Sequence, residues 1–505
     1  MSVQVKTLNT VHPSIDLKRC ADIRALYEGG REWHERLSTW LPQHPMEGPT
    51  TWEKRKARAT YQNVFGGVVD LYPAYIFSAA PQIASEDEYY AALEKDATGT
   101  GENWAGLWAD VLTDLLLDRR SWVMLTLPRS EEGFADFGAQ MDAGALDAKL
   151  SRIDCRHVRD FEYGDDGSLL WIIFHDTFSR RADPAEPRRN VHRWTLITSE
   201  EVAVYEWIQS DDERPNPSPE DTVEEVDRFL HGFKRNGRAS VPVVELDVKK
   251  GLWLGEKAYD PVVSLIRGRN DLDWGLYHQA HPLLILSTRT EPGNPTLGAG
   301  HYLRLVRDAD GMDDAKFVEP AGNGLAALAE DVDRRRTEVF RVAHQMAMSA
   351  DPDAVQVARS GASKAMDYAM TKIVADHYAS MIEEAMNDLL ALIQELRDGP
   401  TARTEPPTVS GMEARNRPPL ETFLNALAMS TDAKMMSSTF RKEAAKAQAQ
   451  RVLGPEVGEQ TMTTIREEID AQDDDADMRS IFGLPSPGGS GDEDDDEDGG
   501  DPAEA

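Results

Sequence analysis

Cysteine is almost absent: Cys20 and Cys155 are the only two in 505 residues. Two thiols far apart along the chain make neither a disulfide framework nor a cysteine metal cluster, and they fit a reducing compartment. No run of 18 or more apolar residues occurs, which leaves no candidate for a helical membrane span. The opening "MSVQVKTLNTVHPSIDLKRC" has no apolar stretch behind a basic one and does not read as a secretory signal. Basic residues are in short supply, with 55 Lys and Arg against 89 Asp and Glu, a net charge of −34. From Asp473 to Ala505 there are 13 acidic residues and one Arg, so the chain ahead of that stretch is itself strongly acidic. Such a body does not bind nucleic acid by neutralising phosphates over a basic face. The plain use of that acidity is solubility. Internal repeats are missing too.

The length suggests two to four domains, and 40% hydrophobic residues with 11 Trp are ample for a core. Residues 14–40 read as mixed helix with a "YEGG" break at 27–30. The run "TWEKRKARATYQNVFGGVVDLYPAYIFSAAPQI" reads as a basic helix entering an apolar one that ends at Pro81, with Tyr61, Phe65, Val68, Val69 and Tyr72 at helical spacing. A helix over 103–120 carries Trp104, Leu107, Trp108, Val111, Leu112 and Leu115 as one stripe. Strand texture follows at 121–128, 168–178, 191–199, 201–209 and in "VPVVELDVKK", rich in β-branched and aromatic residues, with 211–227 as a polar excursion. Residues 85–255 thus predict an α+β body around an antiparallel sheet. Beyond Tyr259 the order is helix, a short β segment with a Gly-rich loop, a helix over about 323–348, a loop, and a long helix from 360 to 396. Residues 401–420 are a Pro-rich connection, 421–470 helical, and the tail low in complexity.

The long helix has an unusual pattern. Ala365-Met366, Ala369-Met370, Ile373-Val374, Met381-Ile382, Ala385-Met386 and Leu389-Leu390 recur every four residues, broken only at His377-Tyr378. At about 3.6 residues per turn each pair advances by roughly 40° on the last. The pattern predicts an apolar surface that winds around the helix and is covered by different neighbours in turn, with Met381, Ile382 and Met386 facing partners other than those of Ala365 and Met366.

Catalytic constellations fail on spacing or company. "REWHER" around His34 lacks the second His of a zinc helix. Cys155 and His157 share a face if they lie on a strand, but no third orienting group accompanies them. Asp351 and Asp353 in "ADPDA" give too few ligands for a divalent ion. The "GNG" at 322–324 lacks the Lys-Ser/Thr of a phosphate loop and the third spaced Gly of a dinucleotide site, and Asn323 fits a helix N-cap better. No catalytic residue, metal ligand or cofactor site is assigned, and the sequence does not read as an enzyme. The run "DEDDDED" is a solvated acidic segment, with a calcium or partner role as the alternative.

The N-terminal run "YEGGREW…WLPQHP…WEKRKARATYQNVFGGVVDLYPAYIFSAAP" resembles the opening of tailed-bacteriophage portal proteins. It is similar to the portal-like group that reads Y-x-G-G, then Y-L-P, then Y-x-x-R-x-x-R-A-x-Y-x-N ahead of an apolar helix and "F…P". Tyr27, Gly29, Gly30, Leu41, Pro42, Arg55, Arg58, Ala59, Tyr61, Asn63, Phe77 and Pro81 fall on that pattern, with Trp40 and Trp52 as departures. The second half is similar in its order of elements.

The resemblance implies an α+β portal fold assembled as a ring. Its parts would be a wing over 1–258, stem helices at 259–281 and 322–347, a small β clip at 282–321 and a tunnel loop at 348–361. A spine helix at 362–396, a helical crown at 397–470 and an acidic tail at 471–505 would complete it. It implies a homo-oligomer, a dodecamer in the family, at one capsid vertex of the virion, assembled in the host cytoplasm, with no membrane. Double-stranded DNA would pass through it in packaging and ejection. The terminase large subunit, head-completion and adaptor proteins, and major capsid and scaffolding proteins would be its partners. Asp351, Asp353, Arg359 and Lys364 would then lie near DNA, and Ser360 and Gly361 would form a hinge. The run Arg334, Arg335 and Arg336 has two uses: brief DNA contact, or pairing between subunits with Asp271, Asp273, Asp331 or Asp333. Other functions stay open beside this one: another ring-shaped virion connector, a metal-dependent nucleic-acid-processing enzyme using Asp351 and Asp353, or an acidic scaffold or DNA mimic.

Overall fold

The computed structural model describes residues 2–128, 134–181, 183–184, 187–209, 214–279, 283–288, 302–306, 314–318, 323–344, 361–399, 404–412, 446 and 464–466. For 278–279, 283–288, 302–306, 314–318, 323 and 361–370 the description covers the backbone only. The chain divides into two units, 1–415 and 416–505. Of the second, the described residues are Lys446 and 464–466, all helical, so most of the region expected as crown, and the tail, lie outside the description.

The first unit is a mixed α+β structure built on two antiparallel sheets. Val243–Asp247, Arg120–Thr126 and Lys149–Asp154 form a three-stranded sheet in that order. The larger sheet has six strands, in the order Ser2–Gln4, Thr222–Leu230, Glu201–Ile208, Arg189–Thr198, Leu169–Arg180 and Val158–Tyr163. Alternation explains its two faces. Ile172, Phe174, Ile197 and Val202 point into a core shared with Trp122 and Val243 of the smaller sheet. Ile173, Trp194, Ala203 and Tyr205 point the other way and are covered by Val5 and Leu8. The expected polar excursion, 211–227, overlaps strand Thr222–Leu230. The strand is an outer one beside the short Ser2–Gln4, where Val223 alone needs burial and charged neighbours can face water.

Helix Leu17–Glu28 ends at Gly29, whose φ of 65° and ψ of −146° suit glycine alone. The basic and apolar helices expected as one are two, Pro49–Ala57 and Val64–Ile76, with 58–63 as a connection between them. Asn63 caps the second by accepting from Gly66 N at 2.7 Å. Helix Trp104–Asp118 buries the stripe expected of it.

Helices Leu254–Gln279 and Asn323–Val342 run antiparallel as a pair, since Arg335 reaches Ser264 while Leu325 lies against Gly275. Between them in the chain is a three-stranded sheet, Tyr302–Val306, Leu283–Thr288 and Asp314–Val318, with one parallel and one antiparallel pairing. At the start of the pair, Gly255 sits so close to helix Trp104–Asp118 that a Cβ would meet Leu117 O at 2.7 Å. The long helix Gly361–Asp398 follows, and its Thr371 hydroxyl donates to His344 O at the end of the preceding helix.

Over residues 371–398 of the long helix, whose side chains are described, the buried surface does not wind. Ala375, Tyr378, Ala379, Ile382, Ala385, Met386, Leu389, Leu390, Leu392 and Ile393 are buried, a straight stripe at helical period. Ile373, counted among the apolar pairs, is 62% exposed. Tyr378, taken as an interruption, is in the stripe because its hydroxyl donates to Leu252 O at 2.6 Å. Coverage from several sides does occur, but through polar flanks. Asp388 meets Arg235 at 3.3 Å, Asn387 accepts from Val409 N at 2.9 Å, and Gln394 accepts from the Tyr90 hydroxyl at 2.7 Å. The side chains of Ala365 and Met366 lie outside the description.

Candidate functional site

The twelve pattern residues of the N-terminal run are scattered over 55 positions, yet those from Tyr27 to Asn63 converge. Tyr61 is stacked on Trp33 with ring centroids 5.4 Å apart, and its hydroxyl donates to Leu26 O at 2.6 Å. Asn63 donates to Tyr27 O at 2.7 Å, and the Tyr27 hydroxyl donates to Asp70 at 2.8 Å. The absence of a side chain at Gly29 leaves room for the Tyr61 ring, which a Cβ would touch at 3.5 Å. Arg55, 3% exposed, forks onto both Glu47 oxygens at 3.0 and 2.9 Å and onto Pro42 O at 2.8 Å. Planar, bidentate recognition explains why an Arg rather than a Lys stands there.

This knot is fastened to the helix pair. Asn270, buried in helix Leu254–Gln279, accepts from Thr60 N at 2.9 Å and donates to Thr60 O at 3.1 Å. The Thr60 hydroxyl donates to Asp273 at 3.1 Å. Arg267 donates to Trp40 O at 2.8 Å, and the Arg58 guanidinium lies 3.8 Å over the Tyr277 ring. The loop 58–63 is thereby held to the helix pair by backbone and side chain alike. A cavity of about 510 Å³ opens beside it, floored by Phe65, Val262, Ile266 and Val332 and edged by Arg269 and Arg336.

Arg334, Arg335, Asp331, Asp271 and Asp273, singled out on the helix pair, find partners within the chain. Asp331 takes both Arg334 and Arg335, the latter at 2.6 Å, and Arg335 also donates to Ser264. Asp273 lies 3.3 Å from Arg269, and Asp271 lies 3.7 Å from Arg55 and from His44. Arg336 is exposed and has no ion pair among the described residues. Asp351, Asp353, Arg359 and Ser360 lie outside the described residues. Gly361 is the first residue of the long helix and Lys364 lies in its first turn, described by backbone alone.

A second charged cluster was missed from the sequence. Arg24, 8% exposed, donates to Asp114 at 2.7 Å and to Asp118 at 2.6–3.1 Å, with Asp154 at 3.8 Å. Arg152 takes the other Asp114 oxygen at 3.0 Å, and Arg156 takes Asp154 at 2.8 Å. Burial alone would lower the Arg24 pKa, but the charges of Asp118 and Asp114 outweigh it and raise it. Asp154 is likewise pushed up by burial but held down at about 2 by Arg156 and Arg24. The signal was present: Asp114 and Asp118 stand four apart in the otherwise apolar "WAGLWADVLTDLLLD", on one helix face.

Cys155 and His157 lie in a turn, not on a strand, where the chain passes from the smaller sheet to the larger. Cys155 is buried, while His157 is paired with Asp176 at 2.7 Å. On the large sheet Arg159 donates to His175 Nδ1 at 2.5 Å, and His175 Nε2 lies 3.1 Å from His192 Nδ1. His34 is exposed. Among the described residues no group of three or more His, Cys, Asp or Glu is placed to hold a metal ion, and no helix is long and apolar enough to cross a membrane.

No family model matches the sequence, and no curated protein is significantly similar to it. Among solved structures, the chain is similar to one from the neck of an empty GTA particle computed with C6 symmetry. The likeness has 10% identity and a TM-score of 0.37, and it covers 90% of this chain and 95% of that one.

Proposed function

We propose that the chain is a bacteriophage portal protein, whose copies form the ring that conducts double-stranded DNA at one capsid vertex. The observation that carries this is the run of an antiparallel helix pair around a small sheet followed by a helix of 38 residues, fastened at its base by the converging N-terminal pattern. The helix pair would be the stem, the sheet the clip and the long helix the spine. The terminase large subunit docks on the clip during packaging, and adaptor proteins succeed it. Capsid and scaffolding proteins surround the ring. In that reading Asp351, Asp353, Arg359 and Lys364 would lie toward the channel, and Ser360-Gly361 would hinge the tunnel loop on the spine. The protein hydrolyses nothing. Its net negative charge lets phosphates slide rather than adhere.

Negative-stain microscopy of the purified full chain is the test, with rings around a central hole as the expected result. A monodisperse monomer at every concentration and ionic strength overturns it. Divalent-dependent cleavage of DNA by the pure chain overturns it in favour of the enzyme.

A further inference from the structure

We propose that Asn236 and Gly237 form a self-deamidating site, with water as the co-reactant, and that Glu395 of the long helix holds it in check. Conversion loosens the hairpin at 234–239 from that helix.

Lys234–Arg235 and Arg238–Ala239 pair antiparallel, with Arg235 opposite Arg238, so Asn236 and Gly237 make up the whole turn. Their φ angles are 55° and 77°, the left-handed pair of a type I′ turn. Such a turn uses neither of its own central N–H groups, and Glu395 takes both. Asn236 N donates to one carboxylate oxygen at 2.7 Å and Gly237 N to the other at 2.5 Å. Two helical turns earlier, Asp388 takes Arg235 at 3.3 Å. Asn236 and Gly237 are themselves exposed, so water reaches the side-chain amide.

Gly has no side chain to crowd its own nitrogen, which makes Asn-Gly the least hindered pair for ring closure. The Gly237 nitrogen loses its proton and attacks the Asn236 side-chain carbonyl carbon. The new C–N bond expels the amide nitrogen as ammonia and leaves a five-membered succinimide. Water then opens the ring at either carbonyl, giving Asp or isoaspartate at 236. Amide and water become acid and ammonia, and nothing is oxidised or reduced. Glu395 bears on the first step. It accepts the very N–H that must be lost, and its charge opposes the nitrogen anion that attacks. Once the ring has closed, the Gly237 nitrogen carries no hydrogen and cannot donate to Glu395. Either product adds a negative charge beside Glu395, and isoaspartate also lengthens the backbone of a two-residue turn by one atom.

The test incubates the folded, full-length chain in warm, mildly alkaline buffer made with heavy-oxygen water, beside the variant Glu395→Gln. Lys-C digestion releases residues 235–249, in which Asn236 carries the one side-chain amide. Mass and retention time then read labelled Asp and isoaspartate at 236. The chain's other Asn-Gly pair, Asn323-Gly324 at the start of helix Asn323–Val342, is the internal reference. Conversion at 236 should be several-fold faster in Glu395→Gln, with the rate at 323 unchanged. Tryptic cleavage after Arg235 and Arg238 should rise with conversion. Equal rates at 236, no conversion at 236 in either protein, equal acceleration at both pairs, or cleavage that does not follow conversion would each overturn the proposal. If Glu395→Gln does not fold, the wild-type chain decides alone. Its conversion at 236 must be several-fold slower folded than unfolded in guanidinium, and equal rates overturn the proposal.

Discussion

Arg24 and Arg334 each hold an aspartate through short hydrogen bonds, and there the likeness stops. Arg24 is sealed under helix Leu17–Glu28 with Asp114 and Asp118, which are 2% and 3% exposed. Arg334 stands in solvent on helix Asn323–Val342 beside Asp331. Buried, the pair fixes which surfaces meet, because losing one partner leaves charge in a poor dielectric. In solvent, water and salt replace whatever is removed. The same two residue types thus lock one region and decorate another. The converging pattern at Thr60 and Asn270 lies between these extremes, made of half-buried, neutral hydrogen bonds.

Four substitutions test that ordering. Arg24→Ala should be the most damaging, costing about 3–5 kcal/mol by stranding the buried Asp118 carboxylate and leaving Asp114 with Arg152 alone, measured by urea unfolding of the intact chain. A cost below about 1 kcal/mol would erase the contrast. Asn270→Ala should cost roughly 1–3 kcal/mol by leaving the Thr60 backbone groups unmade, and should expose the 58–63 loop to proteolysis before the sheets. Third is a pH effect on the large sheet. Burial, then the charge of Arg159, lowers the His175 pKa to about 3. The folded chain therefore stays unprotonated there while the unfolded chain binds a proton below about pH 6.5. The His175 contribution is intact above that pH and is lost progressively as pH falls toward 3. His175→Asn should flatten the fall of the unfolding midpoint with acid, and an unchanged slope would remove His175 as its source. Arg334→Ala should be mildest, within about 0.5 kcal/mol, because Asp331 keeps Arg335.

Periodicity made the main elements legible. The stripe on Trp104–Asp118, the strands near 120, 170, 190 and 201, and the helix, sheet, helix, long helix order all follow from apolar spacing and turn residues. The straight stripe on Gly361–Asp398 was hidden because apolar composition does not say which apolar residue is covered. Ile373 is exposed, and Tyr378 is inside by virtue of one hydroxyl. The break at 58–63 was hidden because its conformation answers to Asn270, some 200 residues on. The converging pattern was visible as a string of residues, but its cause lay in tertiary hydrogen bonds. Arg24 and its carboxylates fell between segments read one at a time.

The pairing of Thr408–Ser410 with Gln82–Ala84 has a consequence for biosynthesis. Tyr378, Ile382, Met386, Leu389 and Ile393 fill the same core as Phe65, Val68 and Trp108. During translation the first two hundred residues therefore emerge with an apolar trough open, and that trough closes only when the last part of this unit leaves the ribosome. A chain cut short before residue 378 lacks the residues that fill this core and leaves the apolar faces of Phe65, Val68 and Trp108 uncovered.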